Sequence, residues 1–150
     1  MALSEQLRKP LKGCSVSELE ALAAEIRETV IQTVETNGGH LSPNLGMVEL
    51  TLALYFAFDF PADKLLFDVG HQSYVHKIIS DRAERFSTLR KKGGISGFPS
   101  PEESAYDAFV AGHAGNSLAA GLGFAKARDL AGEDYRIVTV VGDGSLINGE

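Results

Sequence analysis

The sequence predicts an α/β protein, part of a parallel sheet flanked by helices, and three observations carry that prediction. Two short apolar runs, Leu65–Val69 and Arg136–Val141, each close on a glycine, Gly70 and Gly142. The stretches before and between them repeat apolar residues at helical intervals. Strands that alternate with helices and are apolar at consecutive positions belong to parallel sheets covered on both faces. Two strands do not complete such a sheet, so the chain reads as a portion of a domain.

Ser15 and Glu18 have the spacing of a capping box. Leu19, Leu22, Ala23, Ile26, Val30 and Val34 then recur on one face, which predicts an amphipathic helix ending near Asn37-Gly38-Gly39. Ser42 as N-cap and Pro43 in the first turn predict a second helix to about Phe58, apolar nearly all round and suited to the inside of something larger. It is too short to span a bilayer and carries Glu49. After the first strand, a charged helix is expected around Asp81 to Lys91 and a loop rich in Gly, Ser and Pro from Gly93 to Glu103. A helix of small residues follows from about Asn116 to Leu130, and the β-branched run at 136–141 is the second strand.

Composition narrows the function classes. A net charge of -6, with Lys and Arg scattered among acids, gives no long-range attraction to nucleic acid or to an anionic membrane. The single cysteine, Cys14, cannot form an internal disulfide, which fits a reducing compartment. The first ten residues lack the apolar core of a secretory signal, so a cytoplasmic location with no membrane segment is expected.

Ligands of open α/β sheets bind beyond the carboxyl ends of the strands, which directs attention to Gly142-Asp143-Gly144-Ser145. Asp143 offers a hard carboxylate oxygen suited to Mg²⁺, with phosphate and water as the usual remaining ligands. A solvated turn has the same three letters. A dinucleotide fingerprint is excluded, because its third glycine would fall where Ile147 stands. The second candidate is Gly112-His113-Ala114-Gly115-Asn116-Ser117, where free N–H groups at a helix start would form an anion site. Ala119, Ala120, Gly121, Gly123, Ala125 and Ala127 would let that helix approach a sheet closely, with or without a ligand. Three of the four histidines, His40, His71 and His113, follow glycine directly and suit phosphate contact or proton transfer. His76 has no such setting and reads as structural, and no histidine pair has a zinc spacing.

The order of these segments is more telling than any one of them. Gly38-Gly39-His40-Leu41-Ser42-Pro43-Asn44-Leu45-Gly46, Asp68-Val69-Gly70-His71-Gln72, Gly93-Gly94-Ile95-Ser96-Gly97-Phe98-Pro99 and Gly142-Asp143-Gly144 resemble, in order and spacing, the 1-deoxy-D-xylulose-5-phosphate synthase family, a branch of the transketolase-like enzymes. The resemblance runs from about Leu11 to Glu150. It implies a transferase that decarboxylates pyruvate on thiamine diphosphate and joins the two-carbon unit to glyceraldehyde 3-phosphate, the entry to non-mevalonate isoprenoid synthesis. His71, Gly112, His113 and Ala114 would contact the cofactor, Gly144 and Ser145 its diphosphate, Asp143 would bind Mg²⁺, and His40 would assist proton transfer on the substrate side.

The chain departs from the family at Ala114-Gly115-Asn116, where hydroxyl residues are usual, and at Ile147-Asn148 after the Gly-Asp-Gly turn. The family's chain is also several times longer. The resemblance therefore implies that residues 1–150 correspond to the N-terminal portion of the diphosphate-binding domain, with the pyrimidine-binding and C-terminal domains expected to be absent from this chain. The expected partner is that remainder, as a second chain or a missing segment, in an assembly built on a homodimer. The isolated chain is expected to be inactive. Two alternatives stay open: a non-catalytic remnant serving as an interaction module, and one subunit of another two-chain transketolase-like enzyme.

Overall fold

The capping box forms as its spacing predicts in the computed structural model, which describes residues 3–7, 10–112 and 115–146. The Ser15 hydroxyl accepts from the Glu18 N–H at 3.3 Å, and the Ser15 N–H donates to the Glu18 carboxylate at 2.8 Å. After a short helix α1 (Leu3–Gln6), this cap opens α2 (Val16–Asn37), whose residues Leu22, Ala23, Ile26, Val30 and Thr33 are buried. Ser15→Ala removes the hydroxyl that accepts from the Glu18 N–H, leaves the backbone bond to the Glu18 carboxylate, and is expected to lower the stability of this helix and its packing by about 1 kcal/mol, measurable by urea unfolding.

The chain divides into two compact units, Met1–Ala57 with His71–Gly97 and Phe58–Gly70 with Phe98–Glu150. The first is helical. Its core gathers Ile26 and Val30 of α2, Val48 and Leu52, Tyr74, Val75 and Ile78, and Phe86, Leu89 and Ile95, all close to fully buried. At the end of α2, Asn37 Nδ2 donates to the carbonyls of Ser87 (3.0 Å) and Leu89 (2.9 Å), tying the helix to a segment fifty residues away.

The second helix expected from Ser42 is two helices. α3 (Leu41–Leu45) has His40 as its N-cap, so Ser42 and Pro43 lie inside it, and α4 (Val48–Ala57) follows. Gly46, the poorest helix former after proline, sits at the break. Val48, Thr51 and Leu52 of α4 face the core, while Leu50 (47% exposed) and Phe56 (41%) face outward. The charged helix expected at 81–91 also differs. Helical backbone begins earlier, as α5 (Tyr74–Lys77), a π turn (Ile78–Arg82) and a 3-10 turn (Ala83–Thr88). The reason is burial: Tyr74, Val75, Ile78, Ile79 and Phe86 reach the core, and they precede or interleave the charged residues of 81–91. His76 is buried, with Nδ1 at 2.9 Å from the Tyr55 hydroxyl, in keeping with a structural role.

The second unit holds the sheet. β1 (Lys64–Phe67) and β2 (Ile137–Val140) pair in parallel with Leu65 opposite Val138 and Phe67 opposite Val140. The helix α6 (Ser117–Ala131) lies against both strands. A Cβ at Gly121 would stand 2.7 Å from the Thr139 methyl, so the expectation of close helix–sheet approach holds at this position. Gly123, Ala119 and Ala127 are exposed instead. Leu65, Leu66 and Phe67 are buried, whereas every residue of β2 is half-buried. Among the described residues no third strand pairs with β2. The result is part of an α/β domain, as the alternation of apolar runs and helices predicts. Among the described residues no helix is long and apolar enough to cross a membrane.

Candidate functional site

Within the helical unit, two of the glycine-flanked histidines come together. The ring centroids of His40 and His71 lie 4.4 Å apart at an interplanar angle of 45°. His40 is exposed and His71 half-buried, so the pair opens to solvent. The turn that delivers His40 depends on Gly39, whose φ of 140° is left-handed territory and whose missing Cβ would meet the Tyr74 hydroxyl at 2.7 Å. The His40 N–H donates to that hydroxyl at 3.4 Å. Beneath the pair, the fully buried Asn44 side chain donates to the carbonyls of His40 (2.7 Å) and His71 (2.8 Å) and accepts from the Tyr74 N–H at 2.9 Å.

Within the sheet unit, the carboxyl ends of both strands converge on one buried carboxylate. Asp68 directly follows β1 and is 2% exposed. Its oxygens accept from the N–H groups of Gly115 (3.1 Å), Asn116 (3.2 Å) and Ser117 (3.1 Å) and from the Ser117 hydroxyl at 2.9 Å. Burial pushes the Asp68 carboxyl up, but the hydrogen bonds from Ser117, Gly115 and the Ser145 hydroxyl outweigh it and hold the carboxyl below its ordinary range. This overturns the expectation of free N–H groups at the start of α6. Asp68 already fills that position, where the helix dipole favours a negative charge. Asn116, the N-cap, makes no side-chain capping bond of its own.

The Gly-Asp-Gly segment forms a 3-10 turn, Asp143–Ser145, immediately past β2. The Ser145 N–H donates to the Gly142 carbonyl at 2.9 Å, so both Ser145 donors are used within the protein. Asp143 is exposed at the head of the turn. Among the described residues there is no group of three or more His, Cys, Asp or Glu side chains able to hold a metal. A single carboxylate at a strand end still fits Mg²⁺ when a phosphate supplies further oxygens. Gly112 is exposed, and its carbonyl accepts from the Gly70 N–H at 3.1 Å. His113 and Ala114 lie outside the described residues.

The family model for 1-deoxy-D-xylulose-5-phosphate synthase matches residues 4–150. The chain belongs to the 1-deoxy-D-xylulose-5-phosphate synthase family. A 1-deoxy-D-xylulose-5-phosphate synthase of Dictyoglomus thermophilum is 61% identical over 141 residues, covering 94% of this chain and 23% of that protein. One from Dictyoglomus turgidum is 62% identical over the same length. A 1-deoxy-D-xylulose-5-phosphate synthase 1 of Geobacter metallireducens is 55% identical over 150 residues, 99% of this chain and 24% of that protein. The chain thus spans about a quarter of the length of the curated relatives it matches.

Two residues that organise these synthase-family motifs were quoted in the sequence reading without a role. Asp68 and Asn44 both sit inside the recognised segments, Asp68-Val69-Gly70-His71 and His40-Leu41-Ser42-Pro43-Asn44. The signal was present at Asn44, since an Asn four residues after the N-cap of a short helix can bond back to that residue's carbonyl. No local spacing marks Asp68, whose backbone donors at the start of α6 are 47 to 49 residues away.

Proposed function

We propose that this chain is the N-terminal portion of the diphosphate-binding domain of an enzyme that makes 1-deoxy-D-xylulose 5-phosphate from pyruvate and glyceraldehyde 3-phosphate, with loss of carbon dioxide. The observation that supports this most is the identity of 61% along 94% of the chain to a relative bearing that enzyme's name. Thiamine diphosphate with Mg²⁺ would supply the carbanion chemistry that breaks the bond to the departing carboxylate. Asp143 would hold the Mg²⁺ at the carboxyl end of β2, where ligands of open sheets gather. Gly144 and Ser145 would lie beside the diphosphate, the serine by keeping the turn in shape through its bond to Asp68. Gly112, His113, Ala114 and His71 would contact the cofactor. His40 would exchange a proton with the substrate, a task open to an exposed imidazole.

The pyrimidine-binding and C-terminal domains would come from the rest of the enzyme, as a second chain or as further sequence, in a dimer-based cytoplasmic assembly. The exposed Leu50 and Phe56 of α4 and the half-buried face of β2 are the surfaces such neighbours would cover. In the assembly that contains this chain, Asp143→Ala is expected to reduce synthase activity by more than about 100-fold, because even partners that merely orient metal ligands are worth about 10–100-fold. A steady-state assay with pyruvate and glyceraldehyde 3-phosphate at saturating Mg²⁺ checks this. Unchanged activity would point instead to a non-catalytic remnant.

A further inference from the structure

We propose that Asn44 is a positioning residue that holds His40 and His71 together as one pair. The proposal rests on the reading of these two histidines as site residues and adds the element that brings them together. His40 belongs to the turn before α3, and His71 lies in a separate turn ahead of α5, thirty-one positions along the chain. Nothing in the local sequence sets their separation. The Asn44 carboxamide does so in three directions. One side-chain N–H reaches the His40 carbonyl, the other the His71 carbonyl, and the oxygen takes the Tyr74 N–H, at 2.7, 2.8 and 2.9 Å.

The chemistry of the site selects an amide here. Two carbonyls must be met by donors and one N–H by an acceptor, all in a fully buried position. Aspartate presents no donor, leucine no polar atom, and serine one donor at shorter reach. The carboxamide meets all three at once. Tyr74 completes the clamp, since its hydroxyl accepts from the His40 N–H and its ring is buried in the core. The geometry of the pair is therefore anchored to the buried core of the helical unit.

The test is nuclear magnetic resonance of this chain without cofactor, which makes its outcome independent of whether the synthase reaction is the right function. In the native chain a ring-to-ring nuclear Overhauser contact between His40 and His71 is expected, as are through-hydrogen-bond couplings from the Asn44 side-chain nitrogen to both histidine carbonyl carbons. In Asn44→Ala the ring contact should be lost while contacts within the core around Ile26 and Val30 persist. Asn44→Asp should lose it as well, because shape is kept and the donors are gone. A ring contact that survives both substitutions would overturn the proposal. If the variants do not fold, the native chain decides: absence of both couplings overturns it, and their presence upholds it.

Discussion

Asp68→Ala is expected to destabilise the sheet unit by at least about 3 kcal/mol at neutral pH, among the largest effects of any single substitution in this chain. The carboxylate receives three backbone N–H groups and two hydroxyls, those of Ser117 and Ser145. Each buried donor left without a partner costs about 1–3 kcal/mol, reduced where water can enter. Asp68→Asn keeps one acceptor oxygen but turns amide hydrogens toward N–H groups, so an intermediate loss is expected. Urea unfolding and hydrogen exchange at Gly115, Asn116 and Ser117 measure both. The charge makes a further prediction. Because the folded carboxyl sits below its unfolded value of about 3.9, its contribution is fully present above that value and is lost as pH falls through the folded one. The stability difference between the native chain and Asp68→Asn should therefore shrink on acidification below about pH 4. A difference that stays constant from neutral pH to pH 3 would contradict the ionised assignment.

Gly70→Ala should be nearly as damaging, about 3 kcal/mol, at the top of the usual range for overpacking. A Cβ there would run into the backbone carbonyl oxygen of Ala111 and would stand 2.8 Å from Pro99 Cδ and 2.9 Å from Phe98 Cδ1. Backbone and a proline ring cannot swing aside as a long side chain can. The Gly70 N–H also donates to the Gly112 carbonyl at 3.1 Å, so relief by moving the 98–112 segment would cost that bond. Thermal unfolding compared with Gly123→Ala, an exposed helical glycine whose Cβ would meet nothing, separates crowding from the general effect of adding a methyl group. Gly123→Ala should be neutral or stabilising by up to about 1 kcal/mol, since alanine is the better helix former. Equal behaviour of the two variants would show that the Gly70 contact is not a tight one.

These two residues explain why the segment Asp68-Val69-Gly70-His71 is useful as a unit. The aspartate orders the end of β1 and the start of α6, and the glycine admits the 98–112 segment beside it. The histidine that follows belongs to the helical unit and faces His40. The parts of the segment thus have different tasks within a few residues of chain.

The amino-acid sequence determined by itself whatever depends on neighbours close along the chain. The capping box at Ser15 and Glu18, the length of α2, the two strands, α6 and the turn at Gly142-Asp143-Gly144 all follow from spacings of a few residues, and all are present. The order of short motifs also determined the family, because each motif is local even when the site they build is not. Only the tertiary structure decided that Asp68 fills the start of α6 and that Asn44 joins two histidine turns. The physical reason is that a buried polar group is satisfied by whichever partner folding brings near. Partners such as His71, 27 positions from Asn44, and Ser117, 49 positions from Asp68, leave no periodicity by which a linear reading could find them.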